Sequence, residues 1–463
     1  MITDSTLTYA SQRSMNAFRT ATDNPRYQSY TLSNYTQIPQ VARLTAEQRR
    51  AIEVVGHVLP FKTNNYVVEE LINWEDPDDP MFILNFPQRG MLRPDHYQQM
   101  ERTLASQDRS EIERTADDIR LQLNPHPAGQ LNLNVPKLRD GTRLPGMQHK
   151  YPQTVLCFPS QGQTCHAYCT FCFRWPQFVG MDGLKFAMGE AGLLVRYLEE
   201  HPEVTDVLFT GGDPMIMPAR VFQRYIDPLL NAALPHLQTI RIGTKSLGFW
   251  PYKFTTDADA EATLDLFRRI TGSGKHLAFM AHFSHLTELR TSAVQEAIAR
   301  IRATGAVIRT QSPILRHIND SGEVWASMWR EQVALGLVPY YMFAARDTGT
   351  QHYFAVPLAA ASAIFRSALK KVSGIARTVR GLSMSATPGK IQVVGPAEIN
   401  GEKVLVLRML QARKDEWLHR LFIARYDEAA LWIDDLVPAL GEKEFFYEED
   451  LRSLLAGRPP TGS

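Results

Sequence analysis

Cysteine is scarce in this chain: there are four among 463 residues, and three of them share one loop. So few thiols exclude a disulfide scaffold and fit a reducing interior. Long apolar runs are missing too. None approaches the roughly 18 residues needed to cross a bilayer, so no membrane partner is expected. The opening stretch, MITDSTLTYASQRSMNAFRT, lacks the apolar centre of a secretory leader, and the expected location is the cytoplasm. Net charge is nearly absent: 50 Lys and Arg stand against 49 Asp and Glu, a formal +1. That leaves no global electrostatic footprint for nucleic acid. No repeats or low-complexity tracts stand out. What is there, 44% hydrophobic and 21% charged residues, is an ordinary globular composition. The length suits two or three domains, or one α/β barrel with extensions.

The loop that gathers the cysteines runs from Gly162 to Phe178, GQTCHAYCTFCFRWPQF. Cys165, Cys169 and Cys172 are spaced C-x3-C-x2-C. Three thiolates this close can hold three irons of a [4Fe–4S] cube, which leaves the fourth iron open to a small molecule. Zinc would want a fourth ligand at matching spacing, and His166 is poorly placed for it. Disulfides across such short gaps would be strained. Cys157, on the apolar run before the loop, reads as a buried strand residue.

Residues 1–150 show no strong β periodicity and read as a mainly helical arm, with a helix from Thr45 to Leu59 behind a Thr cap. Asp95 to Leu123 is polar and helix-prone, and Asn124 to Gly146 is irregular. From Tyr151 onward, short β-type runs alternate with amphipathic stretches. The strands are Thr154–Phe158, Asp206–Thr210, Thr239–Gly243, Leu277–Phe283, Ala306–Gln311 and Val338–Phe343. The helices lie near Ala187–Glu200, Ala219–Leu234, Ala258–Thr271, Thr287–Thr304 and Gly322–Gly336, with another near Ala359–Ser373. Six β/α units in series imply a parallel sheet with right-handed crossovers. The fold class is therefore α/β: a partial, open (β/α)6 TIM-like barrel over residues 151–380. Chemistry in such folds sits at the C-terminal ends of the strands. Residues 381–463 form a C-terminal α+β extension with an Asn400-Gly401 hairpin signal before a strand at Lys403–Arg408. Its tail, Asp415–Leu455, is helix-prone. Trp417, Trp432, Phe445, Phe446 and Tyr447 there read as a docking or dimerisation surface, so a homo-oligomer is a possibility.

Three strand ends carry polar groups. Gly211-Gly212-Asp213-Pro214 follows the second strand, where glycines let backbone approach a ligand and Asp213 could meet an amine. The plainer reading is a tight turn with an Asp cap. Gly243-Thr244-Lys245-Ser246 offers a hydroxyl and an ammonium to a carboxylate. At His282-Phe283-Ser284-His285 no third ligand sits at metal spacing, which favours hydrogen bonding.

The cysteine loop, with Phe171 before its last Cys, resembles the radical S-adenosylmethionine (SAM) superfamily. Together with His149-Lys150-Tyr151-Pro152, VLFTGGDP, RIGTK, AHFSH, QSPILRHIND (Gln311–Asp320), PYYMF and SATPGK, it resembles the lysine 2,3-aminomutase family over roughly Gln148–Val394. The resemblance implies a [4Fe–4S] cluster on Cys165, Cys169 and Cys172. It implies SAM contacts from Gly211, Gly212, Asp213, Thr244, Lys245, His282 and Gln311. It implies pyridoxal phosphate (PLP) on Lys390, with Lys150 at the phosphate and Thr154 where the family has a second arginine. Arg174 would bind the substrate carboxylate and Asp347 another substrate group. Ser385 replaces an aspartate that meets the lysine side chain, and most glycines before the PLP lysine are absent, which points away from lysine as substrate. No Cys follows Cys172, so the family's C-terminal zinc cysteines are missing.

The expected activity is generation of a 5′-deoxyadenosyl radical from SAM and a 2,3-aminomutase-type amino migration on an amino-acid-like small molecule. Two other readings stay open. One is PLP-independent oxidation, elimination or epimerisation on the same scaffold, and the other is a cluster-bearing sensor without catalysis. An electron donor such as flavodoxin or ferredoxin is implied as partner.

Overall fold

The computed structural model describes residues 25–180 and 186–456. Its centre is one sheet of eleven strands whose spatial order is their order in the chain. A two-stranded ladder outside it pairs β1 (Ser29–Thr31) with β2 (Lys62–Asn64). The large sheet starts at the edge with β3 (Met147–Tyr151), antiparallel to β4 (Thr154–Cys157). Six further strands then join in parallel: β5 (Asp206–Phe209), β6 (Thr239–Thr244), β7 (His276–His282), β8 (Val307–Pro313), β9 (Val338–Phe343) and β10 (Leu382–Ser385). The parallel run therefore has seven strands, one more than the β/α periodicity suggests. The extra strand, LSMS, is short and lacks an apolar run. It is recognisable only through its partners.

Antiparallel β11 (Gly389–Ile399), β12 (Glu402–Ala412) and β13 (Leu421–Arg425) finish the sheet. The β11–β12 hairpin turns at Asn400 and Gly401, with φ of 52° and 78°, the left-handed geometry that an Asn-Gly turn supplies. The sheet curls strongly enough that Lys150 on the first edge strand donates to the carbonyl of Ala386, just past the last parallel strand.

Helices fill the crossovers near their expected places: Ala191–Glu200, Ala219–Asn231, Ala260–Gly272, Ser292–Ala303, Gly322–Ala334 and Leu358–Lys370. In the arm, Ala46–Val58 starts from a reciprocal cap in which Thr45 accepts from Gln48 N and the Gln48 side chain returns the bond. The polar stretch expected from Asp95 to Leu123 is two helices, Pro94–Ser106 and Arg109–Gln122. Gln107 in left-handed conformation and the Asp108 cap break it.

The tail departs from its expectation. It is a strand, short turns and one helix, Glu448–Leu455. Trp417, Trp432, Phe445 and Tyr447 are buried, and pack with Leu405, Leu407 and Met409 in a second core. These four aromatics are packed inside the chain, and Phe446 is half-buried beside them.

Candidate active site

β4 feeds directly into the cysteine loop, and the loop is pinned from three sides. From the arm, Tyr168 N donates to Lys62 O at 2.7 Å, Lys62 Nζ donates to Cys165 O at 2.8 Å, and Thr170 N donates to Leu84 O at 3.0 Å. From the end of β5, Asp213 N donates to Thr164 O at 2.7 Å. From the end of β9, Thr350 Oγ1 donates to Thr170 O at 2.9 Å, while Trp175 Nε1 donates to Thr348 Oγ1 at 3.0 Å. Gly349, at φ 59°, makes the last approach possible, since a Cβ there would lie 2.9 Å from the Trp175 ring.

Cys165, Cys169 and Cys172 are free and half-buried, and Cys172 N donates to Cys169 O at 3.0 Å. Burial raises all three thiols above their ordinary range. At Cys165 the Asp213 carboxylate and then the other two sulfurs add to it, so the three act as one electrostatic group. Among the described residues, no three His, Cys, Asp or Glu side chains converge as they would around a single metal ion. A cube asks for something else, one thiolate on each of three irons. Three neighbouring thiols on a pinned loop suit it, and iron takes the place of their protons. Cys157 is fully buried on β4, away from this group.

The strand-end polar groups are bonded to one another. Asp213, 2% exposed, accepts from Thr244 Oγ1 at 2.7 Å, Ser246 Oγ at 2.9 Å, Lys245 N at 2.8 Å and Met215 N at 2.9 Å. The last bond is the Asp cap of the plainer reading. Burial raises its carboxyl, and these four donors pull the other way. Gly212 sits so close to the Thr164 backbone that no Cβ fits, and Gly211, at φ 145°, lies against the Gln163 amide. These glycines thus serve the approach of the cysteine loop. Lys245 Nζ pairs with the fully buried carboxylate of Glu288, which also accepts from His285 N at 3.0 Å. His282 and Gln311 face each other across β7 and β8, the amide donating to the ring at 2.9 Å. Burial lowers His282 to about 3, so its ring is neutral.

Near the cysteines a group of cationic side chains comes together. The Arg174 guanidinium lies over the Phe158 ring at 4.5 Å and the Phe173 ring at 5.0 Å. Among the described residues it has no ion pair, and its Nη1 is buried without a hydrogen-bond partner. Burial, then Arg346, lowers it to about 9. The Arg346 guanidinium lies 5.1 Å from the same Phe173 ring, with Nε unpartnered and 3.9 Å from Asp347. Asn124 Nδ2 donates to Asp347 O at 2.5 Å and Oδ2 at 3.3 Å, while Oδ1 has no partner. Burial raises the Asp347 carboxyl against the pull of Arg346. Arg413 donates to Thr387 O at 2.7 Å and Asn134 Oδ1 at 2.6 Å. Lys150 is pushed well down by burial, then by Arg413, Arg346 and Lys390.

Lys390, on β11, has its ammonium over the stacked rings of Tyr341 at 4.1 Å and Phe343 at 5.5 Å, with no hydrogen bond or ion pair among the described residues. Burial lowers it to about 7. The loop before it, Ala386-Thr387-Pro388, offers no glycine cradle, and Gly389 is needed where β11 passes Gln411 and Met409.

Glu288, Arg346 and Arg413 escape a reading of the sequence. Glu288 sits three residues past His285 in an ordinary capping pattern, and the two arginines gain meaning only when loops 65 residues and more apart in sequence close on Phe173 and Lys150.

The cysteine triplet is thus pinned at the C-terminal ends of parallel strands, beside a bonded Asp–Thr–Lys–Glu floor. No family model matches the chain. It is 28% identical over 403 residues to a provisionally named L-lysine 2,3-aminomutase of Aquifex aeolicus (strain VF5), across 87% of this chain and 94% of that one. It is 29% identical over 259 residues to the L-lysine 2,3-aminomutase of Escherichia coli (strain K12), across 54% of this chain and 70% of that one. The solved structure of Streptococcus suis SuiB bound to precursor peptide SuiA matches at a TM-score of 0.34 and 14% identity, over 56% of this chain and 50% of that one, too slight a likeness to carry an argument. The chain is thus similar to lysine 2,3-aminomutases, as a divergent relative and an enzyme of aminomutase-like type, and that likeness implies a [4Fe–4S] cluster and SAM.

Proposed function

We propose that this enzyme moves an amino group between neighbouring carbons of an amino acid, on a six-unit partial barrel whose mouth holds the cysteine loop. The observation that carries the reading is the placing of Arg174 and Lys390. A guanidinium with an unpartnered nitrogen lies two residues past the last cysteine, and an unpaired, depressed amine lies on an aromatic floor. When bound, the cluster and SAM would supply a 5′-deoxyadenosyl radical, and PLP a π-system through which nitrogen can migrate.

Cys165, Cys169 and Cys172 would hold the cube. The Gly211-Gly212 backbone, with Asp213, Thr244 and Lys245 bonded beneath it, would floor the SAM pocket, and His282 with Gln311 would offer neutral polar edges. Arg174 would fix the substrate carboxylate and so decide which hydrogen faces the radical. Lys390, part neutral near pH 7, would be the residue that holds an aldehyde cofactor. Lys150 and Arg413 would meet its phosphate in place of glycine backbone.

The test is anaerobic incubation of reconstituted protein with amino acids, SAM and reductant, followed by mass spectrometry of products. An isomer with nitrogen on the neighbouring carbon, lost in Arg174→Lys while uncoupled SAM cleavage persists, supports the reading. A dehydrated, oxidised or epimerised product overturns it in favour of PLP-independent chemistry.

A further inference from the structure

The charge around Arg174 is lopsided. Arg174 and Arg346 lie against one phenyl ring, Phe173, at 5.0 and 5.1 Å. Each keeps a buried nitrogen with no hydrogen-bond partner, Nη1 of Arg174 and Nε of Arg346. Lys150 and Arg413 donate to the carbonyls of Ala386 and Thr387, and neither is ion-paired among the described residues. The acid nearest Arg346 is Asp347. Asn124 holds it at the rim, and it makes only a 3.9 Å contact to Arg346; Asp434 beyond it is exposed. Where Ser385 ends β10 there is no carboxylate either.

Partly desolvated cations with little counter-charge favour a ligand that brings negative charge, and they raise the cost of one that brings more positive charge. A guanidinium with a free edge is shaped to take a carboxylate in two parallel hydrogen bonds. Arg174 and Arg346 offer two such edges at one ring.

Resting on the reading of this site as an amino-acid site, we infer that the substrate carries an anionic side chain, its α-carboxylate on Arg174 and its second carboxylate on Arg346. Arg346 is then the specificity-determining residue. Asp347 orients it, and Phe173 spaces the two guanidinium groups. Lys150 and Arg413 remain for a further anion, such as a cofactor phosphate. An amino acid with a cationic side chain would place its ammonium among these groups and bind poorly.

The experiment is equilibrium dialysis of L-glutamate, L-leucine and L-lysine against the full-length, cluster-reconstituted protein with SAM, with and without pyridoxal phosphate. L-Glutamate should bind at least tenfold more tightly than L-lysine in both conditions. Arg346→Gln should reduce that preference to less than threefold, and Arg346→Lys should restore part of it. Competition between pyridoxal phosphate and L-glutamate would assign the second anion site to the cofactor phosphate and overturn the inference. L-Lysine binding as tightly as L-glutamate would overturn it alone, leaving the amino-acid reading intact. If no amino acid bound, while reduced protein still cleaved SAM, the amino-acid reading would fall and the inference with it. The wild-type comparison decides even if Arg346→Gln does not fold.

Discussion

The ammonium of Lys245 meets the carboxylate of Glu288, a side chain with no solvent exposure, and the same carboxylate accepts the backbone N–H groups of Ser284 and His285. Lys245 ends one strand and Glu288 follows the next, so the pair ties the β6 and β7 ends together under the cysteine loop. Breaking a buried pair by removing one partner strands the other charge, typically at a cost of about 3–5 kcal/mol.

Glu288→Ala should therefore lower the unfolding free energy by that order, read as a fall in the urea midpoint. The double variant Lys245→Met/Glu288→Leu should recover most of the loss, because it buries no orphaned charge. An unchanged midpoint in Glu288→Ala would mean that the pair does not hold the strand ends.

Gly212 concerns the cluster. With the Thr164 backbone pressed against its Cα, even Gly212→Ala pushes on the residue before Cys165. Iron content after reconstitution should fall to less than half that of wild type. Full iron with loss of SAM cleavage alone would instead mean that the glycine serves ligand approach.

Lys390 supplies the pH dependence. Its amine falls from 10.5 to about 7 through burial, so between those values the unfolded chain binds a proton that the folded chain does not. Stability from this group therefore rises with pH across that window, and the neutral, nucleophilic fraction rises through about pH 7. Borohydride trapping of pyridoxal phosphate should increase through pH 7, level off well below 10, and vanish in Lys390→Ala. Trapping that is equal in the variant would remove Lys390 from the cofactor.

The sequence makes the scaffold legible where period and punctuation agree. The apolar runs of β4 to β9 and the amphipathic stretches between them mark six units, and Asn400-Gly401 marks the hairpin. β10 and β13 are short and mixed in polarity, so their own composition does not announce them, although each pairs with the strand next to it in sequence. The same holds for the site. Cys165, Cys169 and Cys172 declare themselves by spacing. The bonded state of Asp213, which turns an apparent ligand group into a brace, depends on Thr244 and Ser246 some 30 residues on. Arg346 looks like any loop arginine until Trp175–Thr348 docking brings it to Phe173.

The most direct test of the radical SAM assignment is iron and SAM cleavage measured on the same anaerobic sample. Wild-type protein and Cys157→Ala, each reconstituted with iron and sulfide, should carry about four irons per chain and form 5′-deoxyadenosine on reduction with SAM. Cys169→Ala should lose both. Full iron and cleavage in Cys169→Ala, or loss of both in Cys157→Ala, would contradict the account.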